Sequence, residues 1–388
     1  MTSDSPAGKE DIALCERLGQ EHERLWDDPN KPIWRLSVLE HKNTYLNHDL
    51  DKVVDLAFIC HHAISDGIGA SAFHKSLLVF LEEACALRNP KTEWPVKIPL
   101  NISKPHNLED FVNYRPKPDS STTETPPSPN IWTASPPSLP SISEYSSQVK
   151  ITTIPSENLQ DILGCCHHLG ITINGLLHSI ITIQLSKLVH EAQGFAAITP
   201  YSMRRFSDLP SAEIANHVSY IRSLWPTSFL EKARSCSPNT SQEDTVITSI
   251  SQQYQSEISD ELEGVPSHGT HMLNNILAIR DFSAYCEEGL KGSRGNTYEL
   301  SNIGVVTLPT LPEPASMKLE KLIFTQCGMV VGPAIGCGVV TLSGGPLVVS
   351  LHWQSGILGE EFMEELKCSL EERLLAFTVD KSIHSEDV

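Results

Sequence analysis

His61 and His62 stand side by side and are followed by Ala63-Ile64-Ser65-Asp66-Gly67. An imidazole of ordinary pKa, near ~6.5, is largely neutral at pH 7 and can take a proton from a hydroxyl or an amine. Asp66 comes four residues after His62. There it can fix a turn without touching substrate, and Gly67 lets that turn be close. Two other readings compete. The histidines can be satisfied polar residues at the end of a core strand, or His62 and Asp66 can begin a metal site. For the latter no third ligand at a zinc spacing emerges.

The setting favours chemistry. Val53, Val54, Leu56, Ala57, Phe58 and Ile59 form a nearly unbroken apolar run just before the pair, the pattern of a strand buried on both faces. From Gly67 onward Phe73, Leu77, Leu78, Phe80, Leu81 and Ala84 share one broad face, which predicts a helix. An imidazole at the end of such a strand projects into a cleft while strand and helix hold it. Residues 34–39 read as another strand and residues 8–28, with Leu14, Leu18 and Leu25, as an amphipathic helix.

Residues 115–148 break the pattern, with Pro116, Pro118, Pro126, Pro127, Pro129, Pro136, Pro137 and Pro140 among Ser and Thr. Such a segment is a linker or exposed loop and marks a lobe boundary. The expected division is an N-terminal lobe over 1–114, the linker over 115–148 and a C-terminal lobe over 149–388. In the second lobe strands are expected near 147–154, 196–199, 217–224, 303–308, 321–325, 328–331, 337–342 and 346–353. Helices are expected after Ser156, over 172–190 and over 359–377. Helices mixed with irregularly spaced strands predict an α/β or α+β layered fold. Gly328, Gly332, Gly336, Gly338, Gly344 and Gly345 read as hairpin turns rather than a phosphate-cradling loop. His167, His168 and His178 read as surface or packing residues, and Trp353 as core.

The 388 residues, 40% hydrophobic and 20% charged, suffice for about two domains with a sizeable core. A formal charge of −19 disfavours nucleic acid and anionic membrane surfaces as partners. An anionic substrate would need a local basic patch. No stretch reaches the ~18 apolar residues of a membrane span, and residues 1–18 lack the apolar core of a signal peptide, so the expectation is a cytoplasmic protein. Ten scattered cysteines with no CxxC read as reduced thiols, with neither a disulfide framework nor a metal site.

The string from His61 to Gly67 resembles the HHxxxDG motif of peptide-synthetase condensation domains, polyketide-associated acyltransferases and fungal alcohol acetyltransferases. Trp34-Arg35-Leu36-Ser37-Val38-Leu39, Met203-Arg204-Arg205-Phe206 and Leu300-Ser301-Asn302-Ile303-Gly304 are most similar to the fungal alcohol acetyltransferase branch. The resemblance covers residues 20–375, and the plant branch's DFGWG signature is absent. It implies a two-layer α/β sandwich of two chloramphenicol-acetyltransferase-like lobes, arranged as a pseudo-dimer with a tunnel between them. It implies acyl transfer to a small alcohol from an acyl thioester, with acyl-CoA (acetyl-CoA) as co-substrate and no tightly bound cofactor, in fungal secondary metabolism. His61, His62 and Asp66 form the candidate catalytic group. Within it His62 is the general base for direct attack on the thioester, and Asp66 pairs structurally with an arginine, Arg204 first and Arg205 second. Ser301 and Asn302 would position the thioester or the oxyanion, unless they form a plain turn after a strand.

Family members carry a substantial segment ahead of the Trp-Arg-Leu strand, so the N-terminal lobe is expected to be shortened, leaving strand 53–60 with an unpaired edge or an exposed face. Other readings stay open. These are a carrier protein as acyl donor, N-acyl transfer or condensation, and a truncated non-catalytic or cyclase-type relative; monomer and dimer are equally open.

Overall fold

The computed structural model describes residues 6–40, 53–87, 101, 106–111, 130–136, 144–268, 270, 279–310 and 317–377. Most of the proline-rich segment, 115–129 and 137–143, therefore lies outside the described residues. Its stretch 130–136 does not. The Trp132 amide donates to the Gly194 carbonyl at 3.0 Å, and its own carbonyl accepts from Thr297 Oγ1 at 2.6 Å. That stretch is pinned to the C-terminal half of the chain through Gly194 and Thr297.

The chain opens with α1 (Pro6–Glu23), then the antiparallel pair β1 (Trp34–Glu40) and β2 (Val54–Cys60), then α2 (Gly67–Ala86). Phe58 of β2 stacks on Phe73 of α2 with ring centroids 3.8 Å apart. Contrary to the expectation of burial on both faces, most of β2 is only half-buried. Among the described residues it pairs with β1 alone, and Leu56 to Cys60 form part of a cavity wall. Although it lies ahead of the first strands, α1 packs on the larger sheet. Leu14 and Leu18 bury against Val149, Ile151, Val340 and Val348.

The second half builds β3 (Ser147–Ile154), α3 (Ser156–Leu169), α4 (Ile173–Leu188), β4 (Gly194–Ser202), the single turn α5 (Arg204–Ser207) and β5 (Val218–Pro226). Then come α6 (Thr227–Ser235), α7 (Ser241–His268), α8 (Phe282–Gly289), β6 (Tyr298–Val306), β7 (Ile335–Leu342), β8 (Leu347–Gln354) and α9 (Glu360–Ala376). The six strands form one mixed sheet in the order β3-β8-β7-β6-β4-β5, with β6 parallel to both β4 and β7.

One face of this sheet is sealed by helices. Leu176, Ile180, Ile183 and Leu185 of α4 and Met363, Leu366 and Leu370 of α9 are buried against Tyr298, Leu300, Val349 and Trp353. Thr172 caps α4 by accepting the Gly175 amide at 3.1 Å. His178 is a packing residue here: it is wholly buried, and its ring nitrogens meet the Tyr298 and Thr199 hydroxyls, each at 2.9 Å. The opposite face carries α1 and a cavity. The architecture is the expected mixed α/β layering.

Residues 321–325 and 328–331, expected as strands, pair with no strand among the described residues, and the chain bends at 330 and 331. They run across the sheet rather than beside it. The Phe324 carbonyl accepts from Ser350 Oγ at 2.5 Å, and a Cβ on Gly338 would collide with that carbonyl. The glycine of β7 admits the crossing segment. Gly344 and Gly345 do form the β7–β8 hairpin turn, Gly344 with φ +75°.

Candidate active site

The histidine pair sits where β2 ends. The His61 amide still donates to the Ile33 carbonyl at 2.9 Å, and the Ile64 amide donates to the His61 carbonyl at 3.1 Å, closing a turn. The His61 ring folds back into that turn, where Nδ1 accepts the Ala63 amide at 3.1 Å. His62 is thus the histidine whose ring the local turn leaves free.

Asp66 is the N-cap of α2, where a carboxylate suits both the free amides and the helix dipole. Its Oδ1 accepts from the Gly69 amide at 2.7 Å and from Arg204 Nη2 at 2.9 Å. Its Oδ2 accepts from Arg204 Nε at 3.4 Å and from the His217 amide at 3.1 Å. Both oxygens are occupied and the residue is buried. Its backbone amide also donates to the Ala215 carbonyl at 3.0 Å. The carboxylate is a structural hub and touches neither histidine.

Arg204 spreads its planar fork further. Nη1 donates to the Pro210 and Glu213 carbonyls at 2.7 and 3.0 Å, and Nη2 to the Ala215 carbonyl at 3.1 Å. The fork ties the loop between α5 and β5 to the start of α2. Arg205 does not share the task. It points away from Asp66, and its guanidinium lies over the Phe206 ring at 4.6 Å.

The loop so held delivers a residue that the motif does not contain. Asn216 Nδ2 donates to the His62 carbonyl at 2.8 Å and lies 3.2 Å from His62 Nδ1. A carbonyl can only accept, so the shorter bond fixes which end of the amide faces His62. With Asn216 along the Nδ1 edge, Nε2 is the nitrogen left for a substrate. It accepts a proton in the tautomer that carries hydrogen on Nδ1, and there the carbonyl bond alone holds the amide.

His61 and His62 open into a cavity of about 2450 Å³ whose far wall is β6. The pleat sorts that strand, since alternate residues point to opposite faces. Glu299, Ser301 and Ile303 line the cavity, whereas Tyr298 and Leu300 enter the helix-side core. A Cβ on Gly67 would touch Ile303 at 3.0 Å, so the motif turn and β6 are in direct contact. Ser301 lines the same cavity as the histidines, and its Oγ has no hydrogen-bond partner among the described residues.

Asn302 is turned the other way. Its Nδ2 donates to Asn174 Oδ1 at 2.7 Å, and its Oδ1 accepts the Gly304 amide at 2.8 Å. It closes a β-bulge, where the β6–β7 register shifts between Asn302 and Val305 and Gly304 takes φ +84°. Asn302 is not among the residues lining the cavity, and in place of the plain turn both residues lie inside a strand.

Two residues at the site were not singled out from the sequence. Glu299 lies two positions before Ser301, a period-2 signal that was there to be read. Asn216 is 154 residues from His62 and carried no local signal. Among the described residues no group of three or more His, Cys, Asp or Glu could hold a metal, and none of the ten cysteines is in a disulfide.

Comparison with known proteins gives three concordant results. The profile of a family described as alcohol acetyltransferase matches residues 13–374. The probable alcohol acetyltransferase crmB of Aspergillus fumigatus is 25% identical over 376 residues, covering 94% of this chain and 77% of that protein. The probable alcohol acetyltransferase FCK4 of Fusarium pseudograminearum is 25% identical over 380 residues, covering 90% and 72%. Among solved structures, the TRI3 trichothecene 15-O-acetyltransferase of Fusarium sporotrichioides superposes with a TM-score of 0.61 at 13% identity, over 94% of this chain and 74% of that one. The last likeness is one of fold.

Proposed function

The chain belongs to the alcohol acetyltransferase family and is an O-acyltransferase, and from that premise we propose that it moves an acetyl group from acetyl-CoA to a small alcohol, with His62 as general base. The observation that carries the reading is that His62, whose Nε2 has no hydrogen-bond partner among the described residues, lines one cavity with Ser301.

The step balances as follows. His62 Nε2 takes the proton of the acceptor hydroxyl as its oxygen attacks the thioester carbonyl carbon. The tetrahedral oxyanion is stabilised by a hydrogen bond donated from Ser301 Oγ. Collapse breaks the carbon–sulfur bond, and the leaving thiolate takes the proton from the His62 imidazolium. The products are an ester and free CoA, with no acyl-enzyme. Of the cations lining the cavity, Arg24 and Arg35 are engaged by Glu21 and Lys321 by Asp11, which leaves Lys318 as the one without a carboxylate partner among the described residues to meet an anionic donor.

The test is thiol release from acetyl-CoA with a panel of small alcohols, comparing the wild type with His62→Ala. The expected result is alcohol-dependent release that falls by roughly 10²–10⁴-fold in the variant. Release that the substitution leaves unchanged would remove His62 as the base.

A further inference from the structure

Of the buried ionisable groups that line the cavity and take no step of the proposed mechanism, Glu21 and Asp66 are paired with arginines, whereas Glu299 has no ion-pair partner among the described residues. Glu299 lies on β6 in parallel register beside Ile198 of β4 and Gly336 of β7, on the cavity face of the sheet. It is 7% exposed. Gln326, on the crossing segment, donates from Nε2 to Glu299 Oε1 at 3.1 Å. The other oxygen, Oε2, has no partner among the described residues and remains open to the cavity. Around it the walls are largely apolar, with Ile198, Ile303, Phe324 and Val330 among the lining.

A carboxyl group in such a place is costly. Burying a polar group without a full set of hydrogen bonds costs of order 1–3 kcal/mol, and an apolar side chain would have filled the wall at no such cost. Burial pushes the Glu299 carboxyl up to about 7. Near neutral pH it therefore exists in both forms and can accept or donate a hydrogen bond. Its position along the strand is also defined. Ile303 touches the motif turn, Ser301 is one pleat further on, and Glu299 one pleat beyond that. Two strand residues span roughly 6–7 Å, so the Glu299 side chain leaves the strand about that distance from where Ser301 leaves it.

We infer that Glu299, braced by Gln326, is a specificity residue that binds a neutral hydrogen-bonding group of the substrate one pleat along β6 from Ser301. This rests on the transferase reading for the location of the reacting centre. The shared chemistry is a hydroxyl or an amide N–H. It has two sources: a second hydroxyl on the acceptor, or an amide of the pantetheine arm of the donor.

The variants are Glu299→Gln, which keeps size and the acceptor for Gln326, and Glu299→Leu, which removes the polar group. Thiol release is measured with acetyl-CoA and the pair 1-pentanol and 1,5-pentanediol. If the acceptor is read, the wild type favours the diol by about tenfold in kcat/KM, the worth of one good hydrogen bond, beyond the twofold advantage of offering two hydroxyls. The Leu variant loses that preference with KM for acetyl-CoA unmoved. The Gln variant retains much of it, because a hydroxyl can accept as well as donate. If the donor arm is read, KM for acetyl-CoA rises about tenfold in the Leu variant and the diol ratio stays. Variants that fold, release thiol and shift neither quantity overturn the inference.

Should the wild type release no thiol with any alcohol, the transferase reading fails first. Thermal unfolding with equal concentrations of CoA, pentanol or pentanediol then judges Glu299 alone. Greater stabilisation by pentanediol than by pentanol, or stabilisation by CoA, that is lost in the Leu variant supports the site. Equal shifts in wild type and variant overturn it.

Discussion

Arg204 and Asp66, 138 residues apart in the chain, meet at 2.9 Å with each side chain 7% exposed. The pair joins the start of the helix behind the histidine turn to the loop that carries Asn216. Its carboxylate oxygens and guanidinium nitrogens are all committed to hydrogen bonds within this frame. The pair ties the histidine turn to that loop.

Removing either partner leaves a buried charge without its counterpart. Asp66→Ala and Arg204→Ala should each cost about 3–5 kcal/mol. The double variant should cost clearly less than the two together, since they interact directly. Urea unfolding of the four proteins measures the coupling; additivity within ~0.5 kcal/mol would show that the pair acts as two independent residues.

Asn216 holds the backbone and ring edge of His62 from across the two halves of the chain. Asn216→Ala removes one hydrogen bond, so kcat should fall about tenfold while KM for alcohol and donor stay within about twofold. Steady-state kinetics with a parallel thermal melt separates this from unfolding. A fall in melting temperature with kcat preserved would assign Asn216 to stability alone.

Ser301 and Asn302 are neighbours with opposite fates. Ser301→Ala should lower kcat by about 100-fold, as the loss of an oxyanion donor does, with little change in melting temperature. Asn302→Ala should leave kcat near the wild-type value and cost about 1 kcal/mol of stability through the bulge and the Asn174 contact. Kinetics and melts on both variants check the split, and similar profiles would contradict it.

The pH dependence of stability should carry the mark of Glu299. Its folded value, about 7, lies above the ordinary 4.5, so between these values the folded chain holds a proton that the unfolded chain has released. The favourable contribution is complete below pH ~4.5 and is lost as pH rises through about 7, reaching about 3 kcal/mol. Glu299→Gln abolishes that loss. The melting temperature of the variant relative to the wild type should therefore climb from pH 5 to pH 8; a constant difference across this range would place the titration elsewhere.

The sequence alone determined those parts of the site that are local. An apolar run ending in histidines, an aspartate able to cap, a glycine and an amphipathic face specify the β2–turn–α2 unit, because strand period, N-cap chemistry and helix period act over a few residues. The layered α/β class followed from the same periodicities. Tertiary structure alone decided which arginine meets Asp66, since Arg204 and Arg205 are equivalent in chemistry and differ only in direction from the turn at α5. It also decided that Asn302 leaves the cavity while Ser301 enters it, because the pleat and the bulge set their faces. Residues 321–325 have strand chemistry yet cross the sheet, admitted by Gly338 and held through Ser350. Asn216 reaches His62 only because a guanidinium binds three carbonyls of its loop. Such contacts depend on where distant segments pack, and no local period or cap encodes that.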